Sequence, residues 1–345
     1  MEDTHVVVLP QFSKRKTREE NIGKRLLGVS IILLAGALFY YVMYHHIKQL
    51  YTPTVPLVLS STSTVALQEI TAPQKADIKI VVVGDMMFDR YIRKVINKRG
   101  AEFVFSCVDP LFKHVDYVVG NLEGPITNKP STSMGSVIGS PENFFFTFPT
   151  TTASTLFEHS FTLVNIGNNH INNQGGQGVL DTKKYLEKAD VGYFGGLRGD
   201  DSLYRVQIQG HDISFVSYNQ FGGDSKETIA ELIAHEKSQG RIVIVYAHWG
   251  EEYTDVKPYV RRIGTLFAES GADVIIGSHP HVIQTNEIIG TTPVYYSLGN
   301  FIFDQYFDAT VMKGLALTLN ISSSTITIDE HLVNLSRDGR TCLVQ

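Results

Sequence analysis

The sequence predicts an α/β domain built on covered sheets, preceded by one N-terminal transmembrane helix. Three observations carry that expectation. Short Val/Ile-rich runs that stop at Gly recur along the chain, as in Ile78–Val83, Ile242–Ala247 and Val274–Ile276, and such runs read as strands buried on both faces. They alternate with stretches of helical periodicity, which is the pattern of βαβ units. Near the N-terminus, Leu26–Tyr44 contains no charged residue and is long enough to cross the roughly 30 Å hydrocarbon core as a helix.

Taken in order, residues 1–25 read as a cytoplasmic segment, 26–44 as the membrane anchor, 45–77 as a flexible linker and 78–345 as an extracytoplasmic domain. Six cations precede the apolar segment (Lys14, Arg15, Lys16, Arg18, Lys24 and Arg25) and Lys48 follows it. That asymmetry keeps the N-terminus in the cytoplasm and places the rest of a single-pass protein outside the cell membrane. Tyr40, Tyr41 and Tyr44 fit an interfacial belt at the outer end. A cleaved signal peptide is the competing reading, opposed by the long pre-segment and the lack of a small-x-small site after the apolar stretch. Thr52–Asp77 is rich in Thr, Ser and Pro, the composition of a tether.

Beyond the tether, Val179–Ala189 sets Val179, Leu180 and Leu186 against Lys183, Lys184 and Glu187, and Val191–Phe194 follows as a short strand. Glu227–Ser238 spaces Ile229, Leu232 and Ile233 as a helix and stops near Gly240. Pro258 suits the first turn of another helix, with Val260, Ile263 and Phe267 inward and Gly271 as its stop. Gln207–Ser217 and Leu315–Ile328 alternate like antiparallel strands, which argues for a mixed sheet or a sandwich of two sheets.

The 345 residues and 43% hydrophobic content allow a substantial core. A net charge of -5 provides no basic field, so nucleic acid is not an expected partner. Only Cys107 and Cys342 are present, which excludes a disulfide framework or cysteine-rich zinc cluster. They form either one bridge or two buried free thiols.

Five of the strand-like runs end on residue types that ligate metals: Asp85, Asn121-Leu122-Glu123, Asn168-Asn169-His170, His248 and His279-Pro280-His281. In open α/β sheets the functional crevice lies beyond the carboxyl ends of the strands. His279 and His281 are two apart, which in an extended segment turns both imidazoles to one side. Asp85 follows its strand directly, where the alternative is a helix N-cap. Glu123 has a carboxylate able to bridge two cations, and its alternative is a surface turn. Asn169 pairs an amide oxygen with the imidazole of His170, and the alternative there is an Asn-rich loop. His248 reads as a ligand or a core histidine, with Trp249 packed beneath or beside the site. This oxygen/nitrogen set without thiolate suits one or two divalent ions of Mn, Fe or Zn, which can activate water for in-line attack.

Six ordered motifs resemble the capsule synthesis CapA family: Gly84-Asp85-Met86-Met87-Phe88-Asp89-Arg90, Asn121-Leu122-Glu123, Asn168-Asn169-His170, His248-Trp249-Gly250-Glu251-Glu252-Tyr253, Gly277-Ser278-His279-Pro280-His281 and Ser297–Asp304. The family is linked to poly-γ-glutamate production and belongs with the calcineurin-like metallophosphoesterases. The resemblance implies a two-sheet sandwich flanked by helices, working beside a polymer synthase in the membrane. Its phosphoesterase pattern implies Asp85 and His281 on a first metal, Glu123 bridging, and Asn169, His248 and His279 on a second. His170 is then placed at the substrate, stabilising developing charge or protonating the leaving group. Arg90 is expected to bind an anion or to form a surface salt bridge, and Asn300 and Asp304 to line the crevice or shape a turn. Two departures stand out: Met87 occupies the place of a usual His, and Glu123 that of a bridging Asp. The functions in view are synthesis or export of an anionic capsule-type polymer, a stand-alone metal-dependent phosphoesterase, and a non-catalytic polymer-binding scaffold.

Overall fold

The structure is a computed structural model that describes residues 41, 43, 77–323 and 325–344. The expected cytoplasmic segment, anchor and linker lie outside the described residues, apart from Tyr41 and Met43, both helical, and Asp77. Among the described residues no helix is long and apolar enough to cross a membrane. The chain divides into two compact units, Met1–Ile70 and Thr71–Gln345, and the described sheets belong to the second.

Strands β1 (Ile78–Met86), β2 (Tyr117–Leu122), β3 (Leu163–Asn165) and β4 (Gly192–Phe194) begin one sheet. The chain then builds a second from β5 (Leu203–Ile208), β6 (His211–Asn219), β7 (Ile242–His248), β8 (Val274–Ser278), β9 (Asn286–Ile289) and β10 (Thr292–Tyr295). It returns to the first with β11 (Asn300–Ile302), β12 (Lys313–Ile321), β13 (Ile326–Leu335) and β14 (Thr341–Leu343). The first sheet runs β14-β13-β12-β1-β2-β3-β4, with β11 beside the end of β1, and the second runs β5-β6-β7-β8-β10-β9. Both are mixed: β1 to β4 are parallel neighbours, as are β6, β7, β8 and β10, while the remaining pairings on these two paths are antiparallel.

The helices are α1 (Arg90–Arg99), α2 (Ala101–Phe105), α3 (Thr152–Glu158), α4 (Gly175–Lys188), α5 (Lys226–Ser238) and α6 (Pro258–Glu269). Period-2 alternation sorts β1 between two cores. Ile80 and Val82 meet Phe215, Ile244 and Ile276 of the other sheet. Val81 and Val83 belong to the core shared with Ile92, Phe105, Leu156 and Leu186 of the first four helices. A third core packs α5 and α6 on the outer face of the second sheet through Ile229, Ile233, Val260, Ile263 and Phe267. The result is a two-sheet sandwich with helices on both outer faces, so the mixed-sheet and sandwich expectations hold together.

Gln207–Ser217 and Leu315–Ile328 are antiparallel as expected, each span including a turn, and the face of one helix differs. Gln207–Ser217 is part of a hairpin, broken at Gln209 and Gly210, both with positive φ; two such residues form the tight turn that matches strand twist. Leu315–Ile328 likewise divides into the β12–β13 hairpin. Leu180 is 60% exposed, and α4 buries Gly178, Thr182 and Leu186 instead, because Thr182 Oγ is tied to Ile126 N (2.8 Å) and Gly178 O (2.7 Å).

Candidate metal centre

The strand registers place the chemistry. In the first sheet Asn300, Asp85, Asn121 and Asn165 lie side by side across β11, β1, β2 and β3. In the second, Asn219, His248 and Ser278 lie side by side across β6, β7 and β8. Tyr246 joins the sheets next to these rows, its hydroxyl donating to Val83 O at 2.6 Å. Close approach of the loops that follow demands glycine: a Cβ on Gly84 would sit 2.0 Å from Gly299 O, and one on Gly277 2.0 Å from Tyr296 O.

From these rows and the loops after them seven expected residues converge. Asp85, Glu123 and His281 place ligand atoms within 4.8 Å of one another, and so do Glu123, His248 and His279. Glu123 is common to both groups. Asn169 Oδ1 lies 2.8 Å from His248 Nε2, and His170 Nε2 lies 3.9 Å from Glu123 Oε1. His279 and His281 do face one crevice, with ring centroids 6.0 Å apart. The cause is not extended alternation, however: both have positive φ, 96° and 58°. A left-handed turn after β8 folds the imidazoles back, and the His279 N–H donates to Asp85 Oδ2 at 3.0 Å to hold it.

The donor set fits divalent cations on grounds of satisfaction. Both Glu123 oxygens and His279 Nδ1 are buried without a hydrogen-bond partner, a costly state for polar atoms unless something else meets them. Burial, then the adjacent Asp85 carboxylate, pushes the Glu123 carboxyl well above its usual range. The two acids can meet only by sharing a proton or a cation. Burial holds the His248 imidazole neutral, aided by neighbouring His279. It also lowers His279 to about 3 and His170 to about 4. Neutral imidazoles keep a lone pair for ligation.

Hydrogen bonds fix which nitrogen carries it. Asn300 Nδ2 donates to Val311 O and Gln305 Oε1, both at 3.0 Å, so its Oδ1 accepts from His281 Nδ1 at 2.9 Å. The His281 lone pair is therefore on Nε2, 3.6 Å from Glu123 Oε1. An amide or carboxylate behind a ligating histidine is the usual support of a metal site. By the same logic Asn173 Oδ1 accepts from Phe146 N (2.8 Å) and His170 Nδ1 (3.1 Å), leaving His170 Nε2 an acceptor. At His248, Nδ1 lies 2.9 Å from Ser278 Oγ and 3.3 Å from the Asn121 amide nitrogen, while Nε2 faces Asn169 Oδ1 at 2.8 Å.

Arg90 stands at the rim, ion-paired with Asp304 and stacked over Phe146 and Phe303. Of its two expected roles the structure contains the salt bridge, and Asp304 also accepts from Tyr91 N at 3.0 Å. Met87 is buried in the core of the first sheet, its sulfur accepting from Asp89 N at 3.0 Å. Trp249 lies behind His248, stacked on Phe267. Sequence reasoning left the supporting amides out of the site. Asn121 donates to Asp85 at 2.8 Å and accepts from Asn165 and Asn168. The signal was present, since Asn121 and Asn168 stand inside the quoted motifs, but a neutral amide shows its role only through register.

The family model for "Bacterial capsule synthesis protein PGA_cap" matches residues 79–305, the span of all these ligands. The chain belongs to the bacterial capsule synthesis family. It is 30% identical over 285 residues to the capsule biosynthesis protein CapA of Bacillus anthracis, covering 75% of this chain and 68% of that protein. It is 31% identical over 247 residues to the PGA biosynthesis protein CapA of Bacillus subtilis (strain 168), covering 66% and 64%. The sandwich is consistent with the calcineurin-like metallophosphoesterases. The family match therefore contains both ligand groups, which share Glu123.

Proposed function

We propose that this protein is anchored by residues 26–44, works outside the cell membrane in the synthesis or export of an anionic capsule-type polymer such as poly-γ-glutamate, and carries a hydrolase-like step at the crevice. The observation that carries the reading is Glu123, a buried carboxylate shared by two ligand groups with no donor of its own. The names of the two CapA relatives support the polymer. The Cys107–Cys342 disulfide supports an oxidising, extracytoplasmic setting.

Asp85, Glu123 and His281 would hold one cation; Glu123, His248, His279 and Asn169 would hold the other. The chemistry such ions supply is polarisation of a phosphoryl or acyl oxygen and activation of water. His170, neutral with its Nε2 lone pair toward Glu123, would take the proton that the attacking water loses and, as the imidazolium, give it to the leaving group. Arg90, ion-paired with Asp304 at the rim, opposes the upward shift of Glu123 only weakly.

Replacing His279 and His281 together by Ala tests the reading. Metal analysis of the purified full chain should show the ions lost, and polymer output in cells should fall at least about ten-fold, as when metal ligands or their supports are removed. Unchanged output would remove the crevice from the function. Turnover of a generic phosphodiester by the wild-type protein alone would favour a stand-alone phosphoesterase.

A further inference from the structure

A cleft of about 660 Å³ opens beside the metal-ligand cluster. The two adjoin through Tyr253, which lines the cleft and stacks against His281 at 5.9 Å. Arg90 and Asp304 also line it, but they neutralise each other. Its walls are mainly carbon, from Tyr91, Phe307 and Tyr306 among others. Two further cations, Lys94 and Arg337, line it as well. Both are exposed, and neither has an acidic partner among the described residues. Arg337 is held in place by its hydrogen bond to Tyr306 O at 2.8 Å and its position 5.9 Å over the Tyr306 ring.

We infer that this cleft is a subsite for a chain of carboxylate-bearing units with methylene stems, seated so that one end reaches the metal-ligand cluster. The inference rests on the polymer reading above and deepens it by naming where the chain lies. Apolar walls next to unpaired cations match such a ligand at both its parts. The stems cover the aromatic rings, and the carboxylates meet Lys94 and Arg337. A purely apolar ligand would leave the cations unused, and a compact inorganic anion would leave the walls bare. Two more lining residues are already held: Ser133 donates to the buried Asp89 carboxylate at 2.8 Å, and Asn143 accepts from Arg90 at 3.4 Å. A preformed wall lowers the ordering cost of binding.

The test uses the purified full chain and fluorescent oligo-glutamate, with oligo-glutamine of equal length as the neutral comparison. Wild type should bind the glutamate chain and not the glutamine chain, and added salt should weaken binding because the cations face solvent. The double variant Lys94→Glu/Arg337→Glu should bind at least about ten-fold more weakly, the scale of losing two charge-assisted contacts. The control is Lys98→Glu/Lys129→Glu, which makes the same change in net charge at exposed lysines outside the cleft lining, and it should bind as wild type does. If the cleft variant binds as tightly as wild type, or is weakened no more than the control, the subsite is wrong while the polymer reading survives. If wild type binds no oligo-glutamate, both fall together.

Discussion

Glu123 has both oxygens in the interior with no donor facing them, beside the carboxylate of Asp85. In the metal-free protein that arrangement costs stability, since the buried carboxyl must either take up a proton far above its usual range or keep a charge without partners. Gln at this position removes the charge and gains an N–H able to donate to Asp85. Chelator-treated Glu123→Gln should therefore be more stable to denaturant than chelator-treated wild type, by about 1–3 kcal/mol, while the untreated variant should hold less metal than untreated wild type. A lower midpoint would mean that Glu123 is satisfied by the protein alone. At this scale the sequence was informative about type and silent about orientation. His281 is visible as a candidate ligand, but which of its nitrogens keeps the lone pair depends on Asn300, 19 residues away.

Among the elements, α5 is joined to the second sheet by one buried acid. Glu236 accepts from Arg205 at 2.6 and 2.7 Å and from Ser214 Oγ at 2.7 Å. The Arg205 hydrogen bonds, against the opposing effect of burial, hold the carboxyl at about 2, below its ordinary 4.5. A folded-state pKa below the unfolded one adds stability that is fully present above about 4.5 and lost as pH falls through about 2. The midpoint of thermal unfolding of wild type should drop between pH 5 and pH 2 more steeply than that of Glu236→Gln. Parallel slopes would show that the contact does not stabilise the fold through charge. The strands and helices were legible where period and breakers agreed, as in α6 with Pro258 at its start and Gly271 after its end. Hairpins were not resolved at Gln209 and Ser322, although Gln209-Gly210-His211-Asp212 and Ser322-Ser323-Ser324-Thr325 interrupt the apolar alternation there. Leu180 misled because apolar character alone does not say which face of α4 meets the core.

Across the whole domain, the Cys107–Cys342 disulfide joins residues 235 apart and ties the segment after α2 to β14. Closing so long a loop restricts the unfolded chain, so reduction should lower stability by roughly 2–5 kcal/mol. Comparing denaturant midpoints with and without reductant measures this, and equal midpoints would contradict it. The sequence by itself determined the strands, the ligand types at their ends and the family, because burial, periodicity and side-chain chemistry are local properties. Only the tertiary structure decided that Glu123 serves both ligand groups, that a left-handed turn aims His279 and His281, and that Cys107 meets Cys342. Those facts depend on strand order and register, which bring together residues that no spacing along the chain relates.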